Sequence, residues 1–134
     1  MRAIFRYVGV PALAACGLVL ASVAPVRAHH SFAPFDLTQE KTITGTVSRF
    51  EWTNPHSWIF VDVPNDKGGV DTWAIEGMSP NYLARRGWTR TTVKPGEKIT
   101  IAVRPLRSGE HGGMFVRATL ADGRVLTQTA PAKD

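Results

Sequence analysis

Four histidines carry the most versatile side chains of this 134-residue chain: His29 and His30 side by side, His56 after Asn54-Pro55, and His111 in a Gly-rich stretch. Imidazole nitrogens bind transition metals at neutral pH, and nitrogen-rich sets suit Cu(II), Ni(II) or Zn(II). A chain that begins at His29 adds its α-amine, which closes a chelate ring with that residue's own imidazole. His30, His56 and His111 add further nitrogens wherever the fold gathers them. The structural alternative is plain: paired histidines at a chain start sit in solvent, and His56 serves the turn set by Asn54-Pro55.

Aromatic residues offer a second chemistry. Trp58 has the parity opposite to Ile59, Val61 and Val63, which puts it on the outer face of a strand, where it could stack on a sugar or clamp a peptide. Trp52, Asn54 and Glu76 complete this candidate ligand face, for which a cell-envelope glycan, a peptide or an envelope protein is the expected occupant. Trp73 shares parity with Ile75 and is expected in the core, and Trp88 is expected to cap a helix end. Arg85, Arg86, Arg90, Arg104 and Arg107 are scattered, and Glu76 is expected to pair with one of them.

Enzymatic constellations are missing from the sequence. There is no Gly-x-Ser-x-Gly elbow, no P-loop, no Cys-x-x-Cys and no His-Glu-x-x-His. Glu51 and Glu76 could pair as catalytic carboxylates, but nothing in the pattern fixes their separation. The expectation is a non-enzymatic binding domain.

The elements that must position these residues read mostly with period two. Ile43 and Val47 alternate with threonines while Phe50 and Trp52 continue on the opposite parity, so the first strand carries a bulge between Val47 and Phe50. Ile59 to Val63 and Trp73-Ile75 form a hairpin about Asn65-Asp66-Lys67-Gly68-Gly69. Ser79-Pro80 opens a short helix that Gly87 closes. Ile99, Ile101 and Val103 make a fourth strand; Met114, Val116, Ala118 and Leu120 make the inward face of a fifth; Val125 to Thr127 make a short last one. Three strands, a short helix and two strands predict an all-β, OB-fold-like five-stranded Greek-key barrel, with an open β-sandwich as the competing architecture. In the barrel, the loops holding His56 and His111 would frame one face.

The N-terminus sets the compartment. Arg2 and Arg6 precede an uncharged apolar run from Tyr7 to Ala24, and Val26-Arg27-Ala28 forms a cleavage triplet, so residues 1–28 read as a signal peptide. The mature protein is then periplasmic or secreted, with no transmembrane span after cleavage. Leu13-Ala14-Ala15-Cys16 has the form of a lipobox, and a lipoprotein anchored through Cys16 is the alternative. Residues 29–134 remain as one domain, with a lead-in over 29–40 and a polar tail over 129–134. Losing Arg2, Arg6 and Arg27 lowers the formal charge from +5 to +2, and no Lys/Arg run remains to track phosphates, so no nucleic-acid partner is expected. Cys16, the single cysteine, also leaves, and packing alone must hold the domain.

Several of these segments occur in one order: His29-His30-Ser31-Phe32, Trp52-Thr53-Asn54-Pro55-His56 with Trp58, Trp73-Ala74-Ile75-Glu76, and Ser79-Pro80-Asn81 with Leu83, Arg86, Gly87 and Trp88. Together with Lys94-Pro95-Gly96 and Asp122-Gly123-Arg124, they make the chain resemble the bacterial exported proteins grouped as domain of unknown function family 6152. The resemblance spans essentially the whole mature chain. It implies export and a small barrel-like domain, and supplies no activity, substrate or catalytic residue.

Overall fold

The computed structural model describes residues 31–128. The expected signal segment and its expected cleavage site, Cys16, His29, His30 and the tail over 129–134 lie outside the described residues.

Six strands and one helix follow in the order β1 (Lys41–Glu51), β2 (Trp58–Pro64), β3 (Val70–Glu76), α1 (Pro80–Ala84), β4 (Lys98–Pro105), β5 (Gly112–Leu120) and β6 (Val125–Thr127). The sheet runs β3-β2-β1-β4-β5-β6, and a parallel pairing of β3 with β5 closes its first five strands into a barrel. All other pairings are antiparallel. This is the five-stranded OB-like Greek key, with β6 outside the closed barrel; the open sandwich is excluded by the β3–β5 closure. Ile75, Val61, Ile101 and Val103 are fully buried at its centre. Each such side chain contributes about 1.5–3 kcal/mol by leaving water.

Local chemistry explains the boundaries. The register of β1 on β2 shifts between Val47 and Arg49, the expected bulge, and Phe50 thereby still packs on the core. In the β2–β3 turn, Asn65 Oδ1 accepts from the amides of Lys67 and Gly69, and Gly68 takes φ +79°. Ser79 caps α1 by accepting from Tyr82 N at 3.4 Å, and Pro80 opens it. Buried Leu83 and Trp88 tie this short helix to the barrel, and Trp88 Nε1 also donates to Thr127 O at 3.0 Å, which holds β6.

Strand β5 departs from the expected pattern twice. Its register on β4 shifts between Ala102 and Val103, so Ala102 pairs with Arg117 while Val103 pairs with Phe115. This bulge at Val116 reverses parity: Ala118 and Leu120 face inward as expected, but Phe115 takes the core position in place of Met114. The strand also starts at Gly112 rather than Met114, because both glycines pair with neighbouring strands at close range. A Cβ on Gly113 would lie 2.6 Å from Arg104 O, and one on Gly112 would lie 2.7 Å from Leu106 Cδ1.

The lead-in continues the barrel's edge. Asp36 N donates to Pro105 O and Arg107 N to Pro34 O, both at 2.8 Å, and Phe35 is buried. Thr38 donates to Asp36 through both its amide and its hydroxyl, which holds the Asp36 carboxyl below the ordinary aspartate range.

Candidate functional site

Strand register places a row of residues across one end of the barrel. Glu51 pairs with Trp58, Trp58 with Glu76, and Glu76 with Met114. Their neighbours Ile59, Ile75 and Phe115 point into the core, so Trp58, Glu76 and Met114 share the outer face.

The β1–β2 loop brings His56 to this row. Ser57 N and Oγ both donate to Met78 O, at 3.1 and 2.9 Å, and Gly77 N donates to Ser57 O at 2.8 Å. A Cβ on Gly77 would meet Ser57 Oγ at 2.5 Å, so this approach requires glycine. Thus pinned, His56 Nδ1 lies 2.5 Å from Glu76 Oε1 and 3.1 Å from Gly77 O. A carbonyl only accepts, so Nδ1 is the protonated nitrogen, and in the neutral ring Nε2 carries the lone pair. A carboxylate or carbonyl behind one ring nitrogen is how metal-binding imidazoles are oriented.

His56, Glu76, Met78 and Met114 line a cavity of about 470 Å³, with Ser31 and Phe32 of the lead-in on its other side. Gln128 braces it: its Oε1 accepts from Met78 N at 2.5 Å, and its Nε2 donates to Phe115 O at 3.0 Å.

The remaining candidates are divided. His111 does not join His56: it stacks on Trp73 with centroids 5.3 Å apart, and its Nε2 lies 3.7 Å from Asp71. The His111 carbonyl accepts from Ala74 N at 3.1 Å, beside the middle of β3. Asp71 and Trp73 have the parity opposite to Glu76, so the two imidazoles do not share one face of that strand. Among the described residues, no group of three or more His, Cys, Asp and Glu is arranged to hold a metal. Asn54 is exposed in the loop. Trp52 packs edge-on against Phe50 at the rim of the core. Trp58 is half-buried on the outer face as expected, stacked with Phe60, and Arg49 lies 3.9 Å over the Phe60 ring. Glu76 pairs with His56 rather than with an arginine. Arg104 is occupied by Gln39 O and Glu40, and Arg86 lies 3.5 Å over Tyr82.

Sequence reasoning missed Met78 and Met114 as site residues. Met114 was hidden by the bulge that reverses β5, and Met78 lies between strand and helix, where periodicity assigns no face.

Among the described residues no helix is long and apolar enough to cross a membrane. No curated protein matches the sequence. A solved structure with a similar fold is the mitochondrial single-stranded DNA binding protein Rim1 of S. cerevisiae, at 12% identity and TM-score 0.47, covering 62% of this chain and 93% of that one. The model of a family of unknown function, DUF6152, matches residues 16–116, and the chain belongs to that family.

Proposed function

We propose that this is an exported, non-enzymatic binding domain, cleaved after Ala28, that holds one transition-metal ion, Cu(II) foremost, through its N-terminal histidines and His56. One observation carries the reading: Ser31 and Phe32 line the cavity whose wall contains His56. His30 is bonded directly to Ser31, one step of about 3.8 Å between Cα atoms. An amine and imidazole on His29 form one chelate, and His30 or His56 supplies the next nitrogen. Glu76 orients His56 from behind and offsets part of the ion's charge. His111 has no part in this site. Titration of the untagged mature protein with Cu(II), Ni(II) and Zn(II) tests the reading: His56→Ala is expected to weaken Cu(II) binding about tenfold or more, and equal affinities would remove His56 from the site.

A second reading is favoured by the Trp58–Phe60 stack, which offers an aromatic platform to an envelope glycan, a peptide or a partner protein. Such binding would respond to Trp58→Ala and ignore His56→Ala. Neither reading calls on nucleic acid.

A further inference from the structure

Besides Met1, the sequence has two methionines, Met78 and Met114, and both line the cavity that contains His56. They arrive there by separate routes. Met78 is held by its own backbone, through the bonds of Ser57 to its carbonyl and of Gln128 to its amide. Met114 is turned outward by the β5 bulge and sits beside Glu76 across the parallel β3–β5 pairing. Phe32, Phe35 and Pro55 complete an apolar lining. Thioethers are soft, neutral donors that favour Cu(I) over harder ions, and an apolar wall favours an ion of low charge.

We propose that this cavity also takes Cu(I), bound by the sulfurs of Met78 and Met114 and by Nε2 of His56. The proposal rests on the metal-binding reading for its use of His56, but it needs neither the α-amine nor His29. Two oxidation states then share one imidazole while drawing on different partners: nitrogens of the chain start for Cu(II), thioethers of the barrel for Cu(I).

The test uses protein expressed as the full chain, recovered from the exported fraction, with its N-terminus verified by mass. Under anaerobic conditions Cu(I) is delivered as the ion alone, in competition with a colorimetric Cu(I) chelator. Met78→Leu and Met114→Leu conserve volume, and each is expected to weaken Cu(I) binding tenfold or more and Cu(II) binding far less. One residue added before His29 is expected to do the reverse. X-ray absorption at the copper edge of the Cu(I)-loaded wild type supplies a readout that needs no variant. In a chain starting at His29, Met78 and Met114 carry the only sulfur atoms, so copper–sulfur scattering must come from them. A spectrum with nitrogen and oxygen neighbours alone, or leucine variants that hold Cu(I) like wild type, overturns the thioether site. Cu(II) affinity left unchanged by the residue added before His29, with Cu(I) binding intact, would overturn the N-terminal reading instead.

Discussion

His56 Nδ1 lies 2.5 Å from Glu76 Oε1, joining the β1–β2 loop to the end of β3. The contact fixes which nitrogen of the ring carries the lone pair, and in the proposed metal-binding reading it prepares that imidazole for the ion. Glu76→Gln keeps the shape of the contact and removes the charge. It is expected to lower Cu(II) affinity about tenfold, at the low end of the loss that follows removal of such a supporting carboxylate. Thermal melts of the two proteins should nearly coincide, so the change is read in the titration.

Gly113→Ala is expected to destabilise the protein by about 1–3 kcal/mol, the usual cost of forcing a methyl group into filled space. The new Cβ would press on Arg104 O and Val103. Urea unfolding measures the loss. Because Gly113 and Met114 are adjacent, weakened Cu(I) binding should accompany it.

Trp88→Phe keeps much of the buried ring and removes the bond from Nε1 to Thr127 O. A loss of about 1 kcal/mol is expected. Hydrogen exchange should show faster exchange in β6 than in β1, since among the described residues β6 has only β5 as a strand neighbour.

Asp36 supplies a pH dependence. Hydrogen bonds from Thr38 hold its folded-state pKa below the unfolded value of 3.8. Its contribution to stability is therefore fully present above that value and is lost as pH falls through the lower folded value. Asp36→Asn is expected to melt below wild type at neutral pH and to approach it at about pH 3. A gap that stays constant across this range would mean that the carboxylate charge is not what matters.

The proposed export makes a prediction of its own. Intact mass of the protein recovered outside the cytoplasm is expected to correspond to a chain starting at His29. A lipidated chain starting at Cys16 would contradict it and would also remove the free His29 amine.

The barrel was legible because its inward faces are marked by β-branched and aliphatic side chains with period two, punctuated by Asn65 to Gly69, Pro80 and Gly87. Even the β1 bulge was visible, since Val47 and Phe50 have conflicting parities and both are apolar. The β5 bulge was not: Met114, Val116, Ala118 and Leu120 alternate perfectly in sequence, and only pairing with β4 and β3 shows that Phe115 takes the core position. The site was half legible for a related reason. His56 and Glu76 were each noted, but their meeting depends on Gly77 allowing Ser57 to approach Met78, a long-range contact with no periodic trace. His111 was grouped with His56 because its loop was assigned by fold type, whereas Trp73 and Asp71 hold its ring on the parity of β3 opposite to Glu76.

The central claim is that the barrel and the chain start bind one metal ion together. Calorimetric titration with Cu(II) tests it on three samples: the protein starting at His29, the same protein with one alanine added before His29, and the free peptide His-His-Ser-Phe. The account predicts that the native protein binds one ion at least tenfold more tightly than either of the others. Equal affinity of protein and peptide would contradict it, because the cavity at His56 would then contribute nothing.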